Sequence, residues 1–337
     1  MVRQKHATIK DIARELGLSV ATVSRALSRP ELLKDATRER VLEVTERLGY
    51  QPNLIARGLR MKQTRLVFVV TPSLSPFFLG VFRGVQQAAV EAGYDALMGH
   101  TDRSAEQEGV FLDQLASGRA DGMIMVTSAD AQALNRRRGP RGDMVAALEA
   151  IEGLDIPTVQ VDNVEAGAQA ARHLIALGHR RIAHIAGPAR MPMAQHRLEG
   201  FERALREAGL DPHAYPRLAG DFTMDFGERA MRTLLAFNPP PTAVFAANDE
   251  MAVGALQAAK QAGLRIGDDL SVIGFDDQPI ARLYEPALTT VHVPTAQLGY
   301  RAMQQLARVM AGQAAERETV LPTHVIARHT TGPAPDA

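Results

Sequence analysis

The chain has no cysteine in its 337 residues. That excludes a disulfide framework, a thiolate nucleophile and a Cys-ligated metal. No stretch approaches the roughly 18 consecutive apolar residues of a membrane span, and no N-terminal apolar run resembles a signal peptide, so a cytoplasmic location without membrane partners is expected. The compact catalytic signatures are missing too: there is no G-x-S-x-G, no P-loop and no G-x-G-x-x-G. None of the ten histidines forms an i, i+4 pair on a helix with a carboxylate nearby. No catalytic residue, metal or cofactor is therefore assigned.

Net charge is also missing, since 38 Lys and Arg balance 38 Asp and Glu. The balance is uneven along the chain. Residues 1–65 hold 14 basic against 7 acidic residues, which leaves 24 against 31 for the rest, so +7 is followed by −7. A basic head on an acidic body is the footprint of a molecule that grips phosphates with one end. At this length two or more domains are expected, and 46% hydrophobic residues supply an ample core.

What is present starts at Thr8. Ile9, Ile12, Ala13 and Leu16 recur at helical spacing, with Thr8 as a cap and Asp11 three residues on as its partner. Gly17 stops this helix, Leu18 anchors a turn, and Ser19 caps a second helix from Val20 to Leu27. Two short helices joined by a glycine-containing turn form a helix-turn-helix, whose second helix presents its first residues to base edges in the major groove. Those residues are Ser19, Val20, Ala21, Thr22 and Ser24, with Arg25 a turn further on. The competing reading is a plain helical hairpin within another core. Asp35 is expected to cap a third helix, Asp35–Leu48, ending at Gly49. The next segment, Pro52–Met61, is a short, glycine-weakened helix that reads as a hinge folding only when supported.

From Leu66 the period changes. Leu66–Thr71, Asp95–Gly99, Gly122–Val126, Thr158–Val161, Ile182–Ala186, Arg217–Ala219, Ala243–Ala246 and Leu270–Phe275 read as strands. Amphipathic helices alternate with them, including Phe77–Ala92 and, after Gly122–Val126, Met144–Ile151. That alternation predicts α/β architecture with parallel sheets, and so many units make two sheets. Thr289–Val293, a helix over Ala296–Met310 and strands within Thr319–His329 should cross back between the two lobes. The basic loop Asn135–Gly142 reads as a solvated insertion, and Pro333–Ala337 as a disordered tail.

Several runs now carry a resemblance over nearly the whole chain. They are I-K-D-I-A from Ile9, V-A-T-V-S-R-A-L from Val20, Y-Q-P-N from Tyr50, L-G-H-R-R-I-A-H-I-A-G-P from Leu177, R-L-E-G-F from Arg197, P-T-A-V-F-A-A-N-D ending at Asp249 and L-S-V-I-G-F-D ending at Asp276. Together they resemble the LacI/GalR transcriptional regulators. The resemblance implies a helix-turn-helix DNA-binding domain over residues 1–50 and a hinge and linker over 51–64. It also implies a two-lobed, periplasmic-binding-protein-like effector core over 65–331, with one lobe of about 65–161 and 292–322 and the other of about 162–291 and 323–331. It further implies a homodimer on palindromic double-stranded operator DNA in the nucleoid, with operator contacts at Thr8, Asn53, Ala56 and Arg60, and with Leu59 wedged into the minor groove. Within the family, Gly187–Phe201 is similar to cytidine-responsive members. Purine-responsive members carry polar Arg and Thr where this chain has Met191 and Met193.

Ligands of open α/β sheets bind beyond the carboxyl ends of strands. Phe77, Phe78, Met191, Met193, Arg197, Phe222, Asp249 and Asp276 all fall just after predicted strands and are the candidate effector-binding residues. Arg supplies fixed donors, Asp accepts from vicinal hydroxyls and aromatic rings stack on a sugar or base. Alternatives remain open: helix capping for Asp249 and its neighbour Asn248, core packing for either Phe77 or Phe78, and an interlobe ion pair for Arg197 with Asp276. The expected function is a ligand-responsive repressor of nucleoside or sugar genes. A periplasmic sugar-binding protein and a sugar- or nucleoside-processing enzyme are the alternatives.

Overall fold

The computed structural model describes residues 7–28, 33–50, 63–127 and 142–335. The chain separates into two compact units, Met1–Thr64 and Arg65–Ala337. In the first, α1 (Ile9–Leu16), α2 (Val20–Ser28) and α3 (Asp35–Arg47) surround buried Ile12, Ala13, Val23, Ala26, Val41 and Val44. The Asp11 carboxylate accepts the Thr8 N–H at 2.9 Å and its hydroxyl at 2.7 Å. Gly17 leaves α1 at φ 64°, a left-handed conformation that a residue with a Cβ rarely adopts. Ser19 Oγ accepts the Thr22 N–H at 3.0 Å and so caps α2. Lys34, rather than Asp35, holds the cap position of α3. Asp35 is its first helical residue, where the carboxylate still faces the positive end of the helix dipole.

The second unit holds two six-stranded sheets. The N-lobe sheet is built from β1 (Leu66–Thr71), β2 (Asp95–His100), β3 (Gly122–Met125), β4 (Asp143–Leu148), β5 (Thr158–Val161) and β11 (Glu318–Leu321). Its order is β11-β5-β4-β3-β1-β2, and every pair is parallel. The C-lobe sheet is built from β6 (Ile182–Ala186), β7 (Leu218–Ala219), β8 (Ala243–Ala246), β9 (Ser271–Asp276), β10 (Thr289–His292) and β12 (His324–Ile326). Its order is β12-β10-β9-β8-β6-β7, with only β12 antiparallel to its neighbour. Each lobe thus repeats one plan, and each takes an edge strand from near the end of the chain. The chain passes between lobes three times: after β5, after β10 and after β11.

Helices α4 (Pro76–Glu91) and α5 (Ala105–Ala116) belong to the N-lobe, together with α11 (Thr295–Met310), which the chain reaches after β10. Helices α6 (Asn163–Ala176), α7 (Pro192–Glu207), α8 (Met224–Leu235), α9 (Asp249–Gln261) and the short α10 (Pro279–Leu283) belong to the C-lobe. Strand alternation drives the layering: Val67 and Val69 face α4 and α11, while Phe68 and Val70 face α5. Three helix pairs touch backbone to backbone through a glycine on each partner: Gly84 with Gly299, Gly167 with Gly200, and Gly227 with Gly254. A Cβ on any of these six would stand 1.8–2.2 Å from a carbonyl oxygen of the facing helix.

Two expectations are corrected here. Met144–Ile151 is not a helix: Asp143–Leu148 is β4, buried between β3 and β5. A strand covered on both faces reads as a continuous apolar run, so M-V-A-A-L carries no period to separate strand from helix. Of the tail, Pro333–Pro335 is described and is not free, since the Ala334 N–H donates to Leu177 O at 2.8 Å; its last two residues lie outside the described residues.

Candidate nucleic-acid interface and ligand cleft

In the first unit, Ser19, Val20, Ala21 and Arg25 are exposed along one side of α2, and Thr22 and Ser24 are half-buried. The opposite side carries Val23 and Ala26 into the core, so the same helix is anchored by one face and presents the other. Ser19 and Thr22 hydroxyls lie 2.8 Å apart. Thr8 is exposed at the start of α1. An Arg47–Glu15 ion pair ties α3 to α1 across the back. Asn53, Ala56, Leu59 and Arg60 lie outside the described residues, as does most of Asn135–Gly142.

In the second unit, the carboxyl ends of β1, β6, β8 and β9 open on a cleft of about 290 Å³. Phe77 and Phe78 on α4 reach it from the N-lobe. Met191, Met193, Arg197, Phe222 and Asp276 reach it from the C-lobe. Seven of the eight candidate residues are thus brought together. Phe77 and Phe78 meet edge to face at 5.3 Å, with Phe77 buried in the core and Phe78 packed against it, while both line the cleft.

Arg197 is the hub of the C-lobe wall. It is buried, with its guanidinium 3.6 Å from the Phe275 ring centroid. Its Nε donates to Asn163 Oδ1 at 3.0 Å and its Nη1 to Ala247 O at 2.6 Å, while Nη2 stands 3.5 Å from Asp276 Oδ1. Gly167 allows this placement, because it lets α6 press onto the Arg197 backbone. Both partners of the ion pair belong to the C-lobe, so the pair does not bridge the lobes. Asp276 is buried as well, and among the described residues no hydrogen bond reaches its Oδ1. Burial pushes its carboxyl up to about 7 against the pull of Arg197.

Asp249 is the exception. It does not line the cleft: it is fully buried, and its carboxylate accepts the Gln278 N–H at 2.7 Å and the Thr290 hydroxyl at 2.6 Å. Burial and the neighbouring Asp276 raise it well above the usual carboxylate range. The capping role belongs to Asn248, whose Oδ1 accepts the Met251 N–H at 3.0 Å and whose Nδ2 donates to Phe222 O at 3.1 Å.

The sequence reading missed Glu149, Gln278, Glu250 and the Asp102–Arg103 turn. Glu149 follows β4 in the N-lobe and is buried, yet its Oε2 accepts the Met193 N–H of α7 in the C-lobe at 3.3 Å. Burial raises it to about 7. Reading β4 as a helix concealed an acid placed directly beyond a strand end. Asp102 and Arg103 are exposed at the cleft mouth, both at positive φ, and Glu250 and Gln278 line its C-lobe side. A larger groove, about 650 Å³, runs along α4, α11 and β11. Its buried Gln305 already accepts the Glu316 N–H, so it lacks the cleft's unfilled buried acceptor.

Among the described residues no group of His, Cys, Asp or Glu could hold a metal ion, and no helix is long and apolar enough to cross a membrane.

One family model matches within each unit. The bacterial regulatory protein LacI family matches residues 8–53, and a periplasmic binding protein-like domain matches 171–331. The HTH-type transcriptional repressor CytR of Escherichia coli strain K12 is 40% identical over 313 residues, covering 91% of each chain. Among solved structures, the Lac repressor dimer bound to operator and the anti-inducer ONPF aligns with a TM-score of 0.87 at 28% identity, over 97% of this chain and 99% of that one. The transcriptional regulator CelR in complex with cellobiose aligns with a TM-score of 0.72 at 32% identity, over 96% and 99%. The α/β fold, the reading head, the cleft and these matches agree: the chain belongs to the LacI family of bacterial regulatory proteins and is a ligand-responsive, DNA-binding transcriptional repressor, not an enzyme.

Proposed function

We propose that the effector is a small polyhydroxylated molecule, a nucleoside before a plain sugar, bound in the cleft with Asp276 as its main acceptor. The observation that carries this reading is the buried Asp276 Oδ1, which takes no hydrogen bond among the described residues and stands 3.5 Å from a charged donor. Vicinal hydroxyls can donate to such a carboxylate and accept from a guanidinium. Phe77, Phe78 and Phe222 supply apolar faces for a base or sugar ring. Met191 and Met193 form a wall that packs without hydrogen bonding, which disfavours a free purine base. A sugar is the second reading, supported by the hydroxyl-bearing Ser73 and Ser75 on the N-lobe side.

The expected regulated genes are those of nucleoside or sugar uptake and catabolism. The working form is a cytoplasmic, nucleoid-associated homodimer on a palindromic operator. Its contacts are carried by the second unit, because the first has too little apolar surface for both a core and an interface. Val20 and Ala21 meet thymine methyls and Arg25 reads guanine.

Calorimetry with cytidine, adenosine, ribose and hypoxanthine on the wild type and on Asp276→Ala tests the effector. A nucleoside should bind the wild type, and the variant should lose it while keeping operator affinity. Tight hypoxanthine binding, or unchanged affinity in the variant, would overturn the reading. For the head, Arg25→Ala should cost about 1–3 kcal/mol of operator affinity at one base pair per half-site. An equal loss on every sequence would make Arg25 a phosphate contact.

A further inference from the structure

Asp276 and Asp277 are consecutive non-glycine residues at positive φ, 107° and 53°. Such backbone persists only where the surroundings over-determine it. Asp276 is held by the Arg197 ion pair at 3.5 Å and a side-chain hydrogen bond with Gln278, although among the described residues its Oδ1 takes no hydrogen bond. Asp277 is densely tied. Its Oδ1 accepts from Arg328 Nη2 at 2.5 Å, its Oδ2 lies 2.9 Å from His292 Nδ1, and its N–H donates to Thr290 Oγ1 at 3.3 Å. Arg328 is itself fixed, its Nη1 donating to Leu288 O at 2.7 Å and its N–H to Thr289 Oγ1 at 2.9 Å.

The partners share one location. Asp276, His292 and His324 form a row across β9, β10 and β12, paired by strand register. His292 is the last residue of β10, where the chain leaves for the N-lobe, and His324 is the first of β12, where it returns. The two imidazole rings stand 5.1 Å apart. The clamp on Asp277 thus joins β10, where the chain leaves the C-lobe, to Arg328, two residues beyond β12.

We propose that Asp277 is a positioning residue for the effector: clamped by Arg328 and His292, it holds the Asp276 backbone at positive φ and so aims the Asp276 carboxylate into the cleft. This rests on the proposed role of Asp276 as an effector contact. Asp249 supports the other end of the same turn through the Gln278 N–H. Removing the Asp277 side chain should let the turn relax toward ordinary backbone and swing the carboxylate away from Arg197.

The test uses the full-length protein. Asp277→Gly removes the clamp without adding strain, since glycine adopts φ 53° freely. Arg328→Met removes the clamp from the other side while keeping its packing stem. Titrations with cytidine, adenosine, ribose and hypoxanthine compare each variant with the wild type, Asp276→Asn and the Asp276→Asn/Asp277→Gly double variant. Loss of a charge-assisted clamp should weaken the probe that binds by roughly tenfold or more in both single variants. In the Asp276→Asn background the second substitution should add almost nothing, which a purely structural role would not produce. Crystal structures of the unliganded variants should show Asp276 displaced from φ 107°. An unmoved Asp276, or an additive loss in the double variant, would overturn the proposal while leaving Asp276 as the contact. If Asp276→Asn itself leaves affinity unchanged, the effector reading falls, and this proposal falls with it. Should none of the four probes bind, the position of Asp276 in the variant crystals decides.

Discussion

The two lobes share a strand plan, yet they meet the cleft with opposite chemistry. The C-lobe brings Arg197 and Asp276, both buried and ion-paired within the same lobe. The N-lobe brings the rings of Phe77 and Phe78, and its charged lining residues, Asp102 and Arg103, stay exposed at the mouth. Buried charges interact in a low-dielectric surrounding and exposed ones are screened, so the charges that line this cleft are not equal in effect. Under the proposed function, the C-lobe would recognise the polar groups of the effector and the N-lobe would cover them.

That contrast can be broken first at Arg197. Arg197→Ala removes the donor to Asn163 and Ala247 and leaves Asp276 buried without its cation. We expect a loss of about 3–5 kcal/mol in stability, together with loss of effector binding. Chemical denaturation and calorimetry measure the two effects, and a stable variant with normal affinity would show the pair to be ornamental.

The next effect is smaller and depends on pH. A ligand hydroxyl donates best to ionised Asp276, and burial holds the free carboxyl at about 7. Binding should therefore depress that value, release protons below pH 7, and strengthen as pH rises toward 7, with little change above it. Calorimetry at pH 6 in buffers of different ionisation enthalpy counts the protons. Asp276→Asn should remove most of the dependence, and Glu149→Gln separates the share of Glu149, which titrates in the same range. Affinity that rises on acidification would mean that the effector takes the neutral carboxyl. The smallest effect is expected on the covering side, where Phe78→Ala should weaken binding by about 1 kcal/mol, the scale of one aromatic contact. A larger loss there than at Asp276 would reverse the contrast between lobes.

The strands and the reading head were legible because their signals are local. The capping pair Thr8–Asp11, the left-handed Gly17 and the apolar runs each need only a few residues to act. Burial direction is not local. Asp249 and Asp276 both lie at strand ends, but Asp249 turns into Gln278 and Thr290 while Asp276 lines the cleft. No spacing rule separates them. β4 failed for a related reason, since its cover on both faces erased the period, and Glu149 was lost with it. The Asp277 clamp pairs residues 15 and 51 positions apart, which only the sheet register brings together.

The route of the chain has a consequence for how the protein is made. The three helices of the head are complete by residue 50, within a contiguous unit. Each sheet of the body receives its last edge strand from residues 318–326. Domains fold from the N-terminus during synthesis, so on the ribosome the head can settle early while both sheets wait for nearly the whole chain. A chain stopped anywhere between residues 64 and 318 would carry the three described head helices and two unfinished sheets. The helices that face DNA are thus made before the body that would pair them in the proposed dimer and answer a ligand, and truncation would leave those helices unpaired.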